Sequence, residues 1–260
     1  MTRLDVWLAE QGRAESREKA QALVMAGRVR VNGRPASKPG SRVPAGAAVE
    51  VDPGPAHVGR GALKLAGALD AFGVDPNGLV AVDVGASTGG FTETLLARGA
   101  SRVYAVDVGR GQLHEKLGRD PRVVVRDRTN ARALAPHVVP EPCALAVMDV
   151  SFISARKILE ALLTVLAPGA STVVLVKPQF EVGRGQVGKG GIVKDEALQL
   201  ASLRDVATFA ESHGYAVRGA CASPVTGASG NREFFLHLVP GAEKLAPAAL
   251  ESALRKAVTS

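Results

Sequence analysis

Four charged side chains stand at the ends of segments whose patterns predict strands or helices. Asp149 closes the apolar run "ALAVMD" and Lys177 closes "STVVLVK", so both should project at the carboxyl edge of a parallel sheet. Lys64 opens a helix-like segment, and Glu233 precedes the last strand-like run, "FFLHLV". The four side chains can meet only if the fold brings both ends of this region to one site.

Two lysines placed beside two carboxylates could remove a proton from a weakly acidic group such as an alcohol. Lysine has an ordinary pKa of about 10, so it acts as a base near neutral pH only when desolvation or a second cation lowers that value. Carboxylates can position such a lysine pair. Taken singly, each residue could instead be a solvated or capping charge, and this alternative is strongest for Lys64 because a lysine at a helix start is ordinary.

A glycine-rich turn, "DVGASTGGFT", follows the strand-like run "LVAVD" and opens a helix-like segment. In an open α/β sheet, ligands bind beyond the carboxyl ends of the strands, which is where this turn lies. The turn lacks the lysine that a phosphate-binding P-loop requires. Its glycines, Gly85, Gly89 and Gly90, also depart from the G-x-G-x-x-G spacing of a nicotinamide dinucleotide site. ATP, GTP and NAD are therefore poor candidates for its ligand.

Asp107 lies roughly 20 residues after the first glycine, at the end of the next strand, where a carboxylate accepts hydrogen bonds from ribose hydroxyls. The same carboxylate would repel a 2′-phosphate, and Asp83 could balance the positive charge of an amine. These features fit an adenosine that carries an amine and no phosphate. The alternative is structural: glycines that let a strand pack closely on a helix, and an aspartate that caps a helix or faces solvent.

The glycine turn and Asp107 together resemble the first two motifs of S-adenosylmethionine-dependent methyltransferases. The third strand ends in "VVRDRTNAR", where Asp127 occupies the position that commonly binds the adenine amine in such enzymes. The resemblance implies S-adenosylmethionine as the cofactor. The residues expected to bind it are Asp83, Gly85, Ala86, Ser87, Thr88, Gly89, Gly90, Phe91, Asp107 and Asp127.

Strand-like and helix-like runs alternate from Gly61 to the end of the chain, which predicts a doubly wound, Rossmann-like α/β sheet covered on both faces. The preceding segment "DPGPAHVGRG" is rich in proline and glycine and indicates a linker. We therefore predict a small α+β domain over residues 1–52, a linker over 53–60 and the α/β domain over 61–260. The alanine-rich "LAPAALESALRKAV" near the end predicts a short surface helix.

The first fifty residues predict two short helices followed by short strands, with an excess of basic residues between Arg17 and Arg42. The stretch "SREKAQALVMAGRVRVNG", a basic helix that leads into a turn and a strand, resembles the S4 RNA-binding domain. This resemblance implies RNA contacts by Arg3, Arg17, Lys19, Arg28 and Arg30. The alternative is a small basic domain that contacts protein.

The motifs "STGGF", "MDVSF", "VKPQFE" and "NREFFL" resemble those of the FtsJ-like ribose 2′-O-methyltransferases, and "LKLAGAL" is close to a further family pattern. The resemblance implies a catalytic tetrad of Lys64, Asp149, Lys177 and Glu233, with Lys177 deprotonating the 2′-hydroxyl. With an S4-like domain in front, the chain resembles the TlyA family, whose members were long called hemolysins. That resemblance implies methylation of cytidine ribose in 16S or 23S ribosomal RNA, or in both, and a link to capreomycin and viomycin susceptibility.

The segment "EVGRGQVGKGGIVKDE" predicts a flexible basic loop after the Lys177 strand that could close over RNA. Aromatic residues make up only 4% of the chain, so phosphate contacts should dominate recognition and make binding strongly salt-dependent. The further residues expected to contact RNA are Arg60, Arg128, Arg132, Arg184 and Lys189; each taken alone could be ordinary solvated surface.

Composition limits the remaining classes of function. The net charge of +7 favours a polyanionic partner, and 46% hydrophobic residues suffice for a buried core. Cys143 and Cys221 predict neither a disulfide nor a metal site. The absence of a signal or membrane segment favours a cytoplasmic location, and we expect a monomer. The competing hypotheses are a cytolytic hemolysin-like protein, an RNA-binding protein with an inactive methyltransferase fold, and a methyltransferase acting on another target.

Overall fold

The structure is a computed structural model that describes residues 2–14, 16–52, 57–227 and 229–260. Internal contacts divide the chain into two compact units, Met1–Ala56 and His57–Ser260. Of the predicted linker, residues 53–56 lie outside the described residues and residues 57–60 belong to the second unit.

The N-terminal unit contains two helices and a three-stranded antiparallel sheet in the order β2-β1-β3. Ser16 caps the second helix, since its hydroxyl accepts a hydrogen bond from the Lys19 amide. The core of the N-terminal unit is formed by apolar residues from both helices and from the sheet, chiefly Leu4, Leu8, Ala20, Val24 and Val29. The elements are α1 Leu4–Glu10, α2 Arg17–Met25, β1 Val29–Val31, β2 Arg34–Pro35 and β3 Val49–Val51.

The C-terminal unit is built on a seven-stranded sheet in the order β6-β5-β4-β7-β8-β10-β9. Its strands are β4 Val80–Val84, β5 Arg102–Val106, β6 Val123–Arg126, β7 Cys143–Met148, β8 Leu166–Val176, β9 Tyr215–Ala222 and β10 Phe234–Pro240. Strand β10 is antiparallel to β8 and β9, and the other pairings are parallel. The predicted α/β class and the mostly parallel, doubly wound sheet are confirmed.

Helices cover both faces of this sheet, as the long apolar strands require. They are α3 Gly61–Phe72, α4 Gly90–Ala97, α5 Glu115–Gly118, α6 Arg156–Leu163, α7 Pro178–Glu181, α8 Glu196–Ser212 and α9 Pro247–Thr259. Leu65 of α3 and Leu95 of α4 belong to one core cluster, whereas Ile158 of α6 and Leu203 of α8 belong to the other.

The C-terminal segment forms a helix at the surface, as predicted. Helix α9 packs on the second core cluster and buries Leu254, Ala257 and Val258. One face of this surface helix therefore covers part of the core, while most of its other residues are exposed.

Candidate active site

The glycine turn between β4 and α4 allows backbone approaches that other residues would block. Gly85 has φ +85°, and a Cβ atom there would lie 2.3 Å from the carbonyl oxygen of Asp149. A Cβ at Gly90 would lie 2.9 Å from the amide nitrogen of Ala62, so this glycine lets α3 approach α4. The predicted turn thus brings β4, β7 and the start of α3 together.

Asp107 follows β5 and carries a fixed carboxylate beside this turn. Its two oxygens accept hydrogen bonds from the amides of Ser87, at 2.8 Å, and Gly109, at 2.7 Å. Asp107 borders a cavity of about 540 Å³ whose wall also includes the apolar residues Val108 and Ile153. An apolar cavity with a carboxylate at its edge suits an adenosine.

Asp83 is a buried carboxylate of which only one oxygen has a hydrogen-bond partner among the described residues. Thr92 Oγ1 donates to Asp83 Oδ2 at 2.6 Å, whereas Asp83 Oδ1 has no hydrogen-bond partner among the described residues. Burial raises the pKa of Asp83 to about 7, with a further contribution from the charge of Asp149. Asp83 is fully buried and does not border the 540 Å³ cavity, so its contact with an amine of the cofactor stays a prediction. The glycine turn and Asp107 therefore fit a cofactor that carries an adenosine.

Asp127 occupies a different environment from the one expected. Its carboxylate accepts a hydrogen bond from the Gly111 amide at 2.7 Å and so ties down the loop after Asp107. It does not border the 540 Å³ cavity, whereas Thr129, Asn130 and Arg132 do. The contact of Asp127 with adenine stays a prediction, and Asn130 is a neighbouring polar residue that sequence reasoning missed.

The four residues of the expected tetrad come together around a second cavity, of about 550 Å³. Lys64 and Glu233 form a buried ion pair, and Lys177 Nζ lies 2.6 Å from Asp149 Oδ1. Lys177 Nζ also donates a hydrogen bond to Ser151 Oγ at 2.8 Å. All five residues border this cavity.

The topology explains why residues so far apart in sequence meet. Strand β10 lies between β8 and β9, and its first residue, Phe234, pairs with Val176. Glu233 and Lys177 therefore leave adjacent strands side by side. Lys64 reaches the same place from the first turn of α3.

The two cavities share part of their walls. Gly85, Ser87, Asp149, Ser151 and Phe152 border both. A ligand in the cavity beside Asp107 and a substrate in the cavity beside Lys177 would therefore meet along this shared wall, where Asp149 and Ser151 hold the lysine amine.

Two phenylalanines lie within the motifs "MDVSF" and "VKPQFE" but were not predicted as site residues: Phe152 borders both cavities and Phe180 borders the 550 Å³ cavity. Phe152 is 91% exposed and has φ +64°, a conformation that is rare for an aromatic residue. Its ring centroid lies 5.2 Å from that of Phe180. Backbone strain and exposure of a large apolar ring together indicate a functional surface.

Glu181 joins the loop that carries Phe152 to helix α7, which carries Phe180. Its carboxylate accepts hydrogen bonds from Ser154 Oγ at 2.6 Å and from the Ala155 amide at 2.8 Å. Burial raises the pKa of Glu181, and these donors together with Arg156 oppose that effect. The motifs "MDVSF" and "VKPQFE" are thereby joined through one side chain.

Asn231 attaches the predicted basic loop to the active site. Its Oδ1 accepts from the Val193 amide at 2.9 Å and its Nδ2 donates to the Gly191 carbonyl at 2.8 Å. Gln199 Nε2 also donates to the Val193 carbonyl at 2.8 Å. The end of the loop is therefore anchored next to Glu233, while Lys189 is exposed.

The basic residues expected to bind RNA are distributed over both units. In the C-terminal unit, Arg60 borders the 550 Å³ cavity and Arg132 the 540 Å³ cavity, whereas the Arg184 side chain lies outside the described part of the structure. Arg128, at φ +54°, is exposed. In the N-terminal unit, Lys19 and Arg30 are exposed and Arg28 is half-buried.

Arg3 and Arg17 of the N-terminal unit pair with the buried Asp5. Each guanidinium lies 3.0 Å from Asp5 Oδ2, and Gln21 donates to the same oxygen at 2.8 Å. The Arg3 guanidinium beside Asp5 holds the pKa of that carboxyl well below its usual range. Both arginine side chains remain about half exposed, at 50% and 55%.

Over residues 2–14, 16–52, 57–227 and 229–260, no cluster of three or more His, Cys, Asp or Glu side chains is arranged to hold a metal ion. Cys143 and Cys221 are free thiols. None of the helices in these ranges combines the length and apolar character needed to cross a membrane.

A doubly wound sheet whose glycine turn and Asp107 suit an adenosyl cofactor, with a base beside it, defines a methyltransferase of the Rossmann-like class. Sequence comparison gives the family. Residues 57–239 match the FtsJ-like methyltransferases and residues 2–49 match the S4 domain, and the chain belongs to the FtsJ-like methyltransferase family. It is an S-adenosylmethionine-dependent enzyme.

Relatives match nearly the whole chain. The 16S/23S rRNA (cytidine-2′-O)-methyltransferase TlyA of Mycobacterium tuberculosis is 48% identical over 99% of this chain and 97% of its own length. Hemolysin A of Brachyspira hyodysenteriae is 38% identical over 91% of this chain and 99% of its own. A solved structure from Streptococcus thermophilus that bears a hemolysin name has a TM-score of 0.75 at 39% identity, covering 99% of this chain and 94% of that one.

Proposed function

We propose that this enzyme methylates a ribose 2′-hydroxyl of ribosomal RNA, with cytidine in the 16S or 23S molecule, or in both, as the target. The observation that carries this proposal is the lysine amine of Lys177, held by Asp149 at the wall shared by the two cavities. The rRNA cytidine-2′-O-methyltransferase name of the Mycobacterium tuberculosis relative supports the same substrate.

The reaction requires a base beside the attacking hydroxyl. S-adenosylmethionine supplies an electrophilic methyl group. Lys177 receives the proton of the 2′-hydroxyl, and the carboxylate of Asp149 stabilises the ammonium that forms. The buried Lys64–Glu233 pair places a second cation in the same cavity, where it stabilises negative charge developing on the attacking oxygen.

The aromatic pair gives the target nucleotide a place to stack. A ribose whose hydroxyl reaches Lys177 must leave a helical stack, and bases extruded in this way commonly lie on aromatic rings. Phe152 and Phe180 border the catalytic cavity and present such a surface. We therefore propose that they contact the base of the modified nucleotide.

Phosphate contacts complete the proposed RNA interface. The basic N-terminal unit, Arg60 at the catalytic cavity and Lys189 on the anchored loop supply positive charge. An rRNA substrate within the 30S or 50S subunit assigns this activity to the cytoplasm, and a monomer suffices because all four tetrad residues come from one chain.

The direct test uses tritiated S-adenosylmethionine with 30S or 50S subunits from a bacterium that lacks the gene. Wild-type protein should label rRNA ribose, and the Lys177→Ala variant should label none. Absence of label in both subunits despite cofactor binding would overturn the ribosomal proposal and direct the search to other RNAs.

Two further parts of the proposal have their own tests. Expression in a capreomycin-resistant strain that lacks a relative of this enzyme should restore susceptibility, and the Lys177→Ala variant should not. The hemolysin name of a relative raises a second activity. Lysis of erythrocytes that persists in Lys177→Ala would show an activity independent of methyl transfer.

A further inference from the structure

Ser151 lies beside Lys177 in a position that the tetrad does not account for. Its Oγ accepts a hydrogen bond from Lys177 Nζ at 2.8 Å, and the same nitrogen lies 2.6 Å from Asp149 Oδ1. The amine therefore contacts two oxygens carried by one short loop. Ser151 borders both cavities, so its hydroxyl stands at the wall where cofactor and substrate would meet.

The loop that carries Ser151 is held on both sides. The amide of Asp149 donates to the Val84 carbonyl at 2.9 Å, which attaches the loop start to β4. Glu181 accepts hydrogen bonds from Ser154 and Ala155 and so fixes the loop end. The Ser151 hydroxyl is thus placed by the fold next to an amine that could otherwise rotate freely.

The number of hydrogens and lone pairs on an amine indicates what the hydrogen bond between Lys177 and Ser151 does. A neutral primary amine has two hydrogens and one lone pair, and it acts as a base only through the lone pair. We infer that Ser151 is a positioning residue for Lys177: its oxygen takes one N–H, the ion pair with Asp149 Oδ1 fixes where the amine lies, and the lone pair faces the substrate hydroxyl. This inference rests on the proposed function.

The proton balance follows from that arrangement. The O–H bond of the substrate breaks, its electron pair stays on the oxygen, and the proton bonds to Lys177 Nζ. One of the three hydrogens of the resulting ammonium keeps its hydrogen bond to Ser151, and the new positive charge lies beside Asp149 Oδ1. Without Ser151, an N–H competes with the lone pair for the direction of the substrate, so turnover falls although binding does not.

Steady-state kinetics on ribosomal subunits tests the inference through the separate response of kcat and KM. Ser151→Ala should lower kcat about 10- to 100-fold while the KM for RNA stays within about 2-fold. Ser151→Thr keeps the hydroxyl and should recover most of kcat. Ser101→Ala, at an exposed serine before β5 at the opposite edge of the sheet, is the matched control and should match wild type.

A second readout needs neither cofactor nor RNA. In protein labelled with ¹⁵N-lysine, NMR measures how fast the Nζ hydrogens of Lys177 exchange with water. Exchange should be faster in Ser151→Ala than in wild type, Ser151→Thr or Ser101→Ala, because one acceptor is gone.

The outcomes separate the two proposals. An unchanged kcat in Ser151→Ala overturns the positioning role, whatever the exchange rates show. A loss of kcat that Ser151→Thr does not recover at all also overturns it, because the hydroxyl would then not be the group that matters. If wild-type protein modifies no rRNA, the proposed function fails, and the exchange rates alone decide whether Ser151 holds Lys177.

Discussion

Two lysine–carboxylate pairs border the same cavity and differ in how far their carboxylates are exposed to solvent. The lysine side chains are about equally buried, with 9% of Lys64 and 10% of Lys177 exposed, whereas 3% of Glu233 and 22% of Asp149 is exposed. Glu233 lies beneath the turn at Gly227, where a Cβ would come within 2.4 Å of its carboxylate. The carboxylate of the Lys64–Glu233 pair is therefore almost fully buried, whereas the carboxylate of the Lys177–Asp149 pair is partly exposed.

This difference in exposure indicates that the two pairs have different roles. Removing one partner of a buried ion pair leaves an uncompensated charge, which destabilises a protein by about 3–5 kcal/mol. The Lys64–Glu233 pair should therefore stabilise the fold of the site as well as its electrostatics. The Lys177–Asp149 pair, whose carboxylate is partly exposed, should affect chemistry much more than stability.

The largest expected effect is the loss of turnover in Lys177→Met. We expect rRNA methylation to fall by about 10³-fold or more, because the base is gone, while cofactor affinity and the denaturation midpoint change little. Lys256→Met, at an exposed lysine on α9, is the control and should match wild type. Substantial turnover in Lys177→Met would assign the base to another residue and remove the distinction between the pairs.

Substitutions in the Lys64–Glu233 pair should separate effects on stability from effects on activity. Lys64→Met should lose most activity and also about 3–5 kcal/mol of unfolding free energy, since Glu233 is left buried without its cation. Adding Glu233→Leu should restore much of the stability but none of the activity. Urea denaturation of the C-terminal unit, read beside methylation assays, measures both. Equal stability of Lys64→Met and wild type would contradict a stabilising role for the Lys64–Glu233 pair.

Asp83 extends the comparison to a buried carboxylate without a cation. Its pKa is raised to about 7, above the ordinary value of 3.8, so the unfolded chain ionises first as pH rises. Stability of the cofactor-free protein should therefore fall between about pH 4 and pH 7, by about 1.4 kcal/mol per pH unit for this group, and then level off.

The Asp83→Asn variant tests this sign. It should be more stable than wild type at pH 7, by up to a few kcal/mol. Its stability should also lack the decrease between about pH 4 and pH 7 that Asp83 causes in wild type. Its affinity for S-adenosylmethionine should fall, since an amide cannot balance an amine. Thermal unfolding of the cofactor-free proteins from pH 4 to pH 8 measures the first effect and calorimetry the second. A variant less stable than wild type at pH 7 would show that Asp83 is charged in the fold.

Strand patterns and glycines predicted much of this site, because they depend on local rules. The apolar runs before Asp149 and Lys177 placed both residues at the sheet edge, and the confirmed topology then brings Lys64 and Glu233 to them. That meeting depends on where β10 inserts, which the spacing of residues along the chain does not reveal.

Other features depended on contacts that no pattern shows. Ser151 is one polar loop residue among many until its hydrogen bond with Lys177 is known. The positive φ of Phe152 and the two hydrogen bonds from Asn231 to the basic loop are equally invisible in sequence. Asp127 matches a motif position, yet its carboxylate holds a loop amide.

The smallest expected effects concern the N-terminal unit, where a buried carboxylate is paired with cations that remain half exposed. Arg17 contacts Asp5, whereas Lys19 is exposed and forms no side-chain contact within the described part of the chain. Arg17→Ala should therefore weaken both RNA binding and the packing of α1 on α2, the latter by on the order of 1 kcal/mol. Hydrogen exchange of the amides in both helices measures that loss.

Lys19→Ala should reduce RNA binding without changing that exchange. If its ammonium contacts a phosphate, the slope of log affinity against log salt should decrease by about one, equally for all sequences. Filter binding of ribosomal subunits at several salt concentrations measures the slope. An unchanged slope in Lys19→Ala together with a reduced slope in Arg17→Ala would reverse the assignment: Arg17, held by Asp5, would be the phosphate ligand, a cation positioned by a carboxylate as Lys177 is by Asp149.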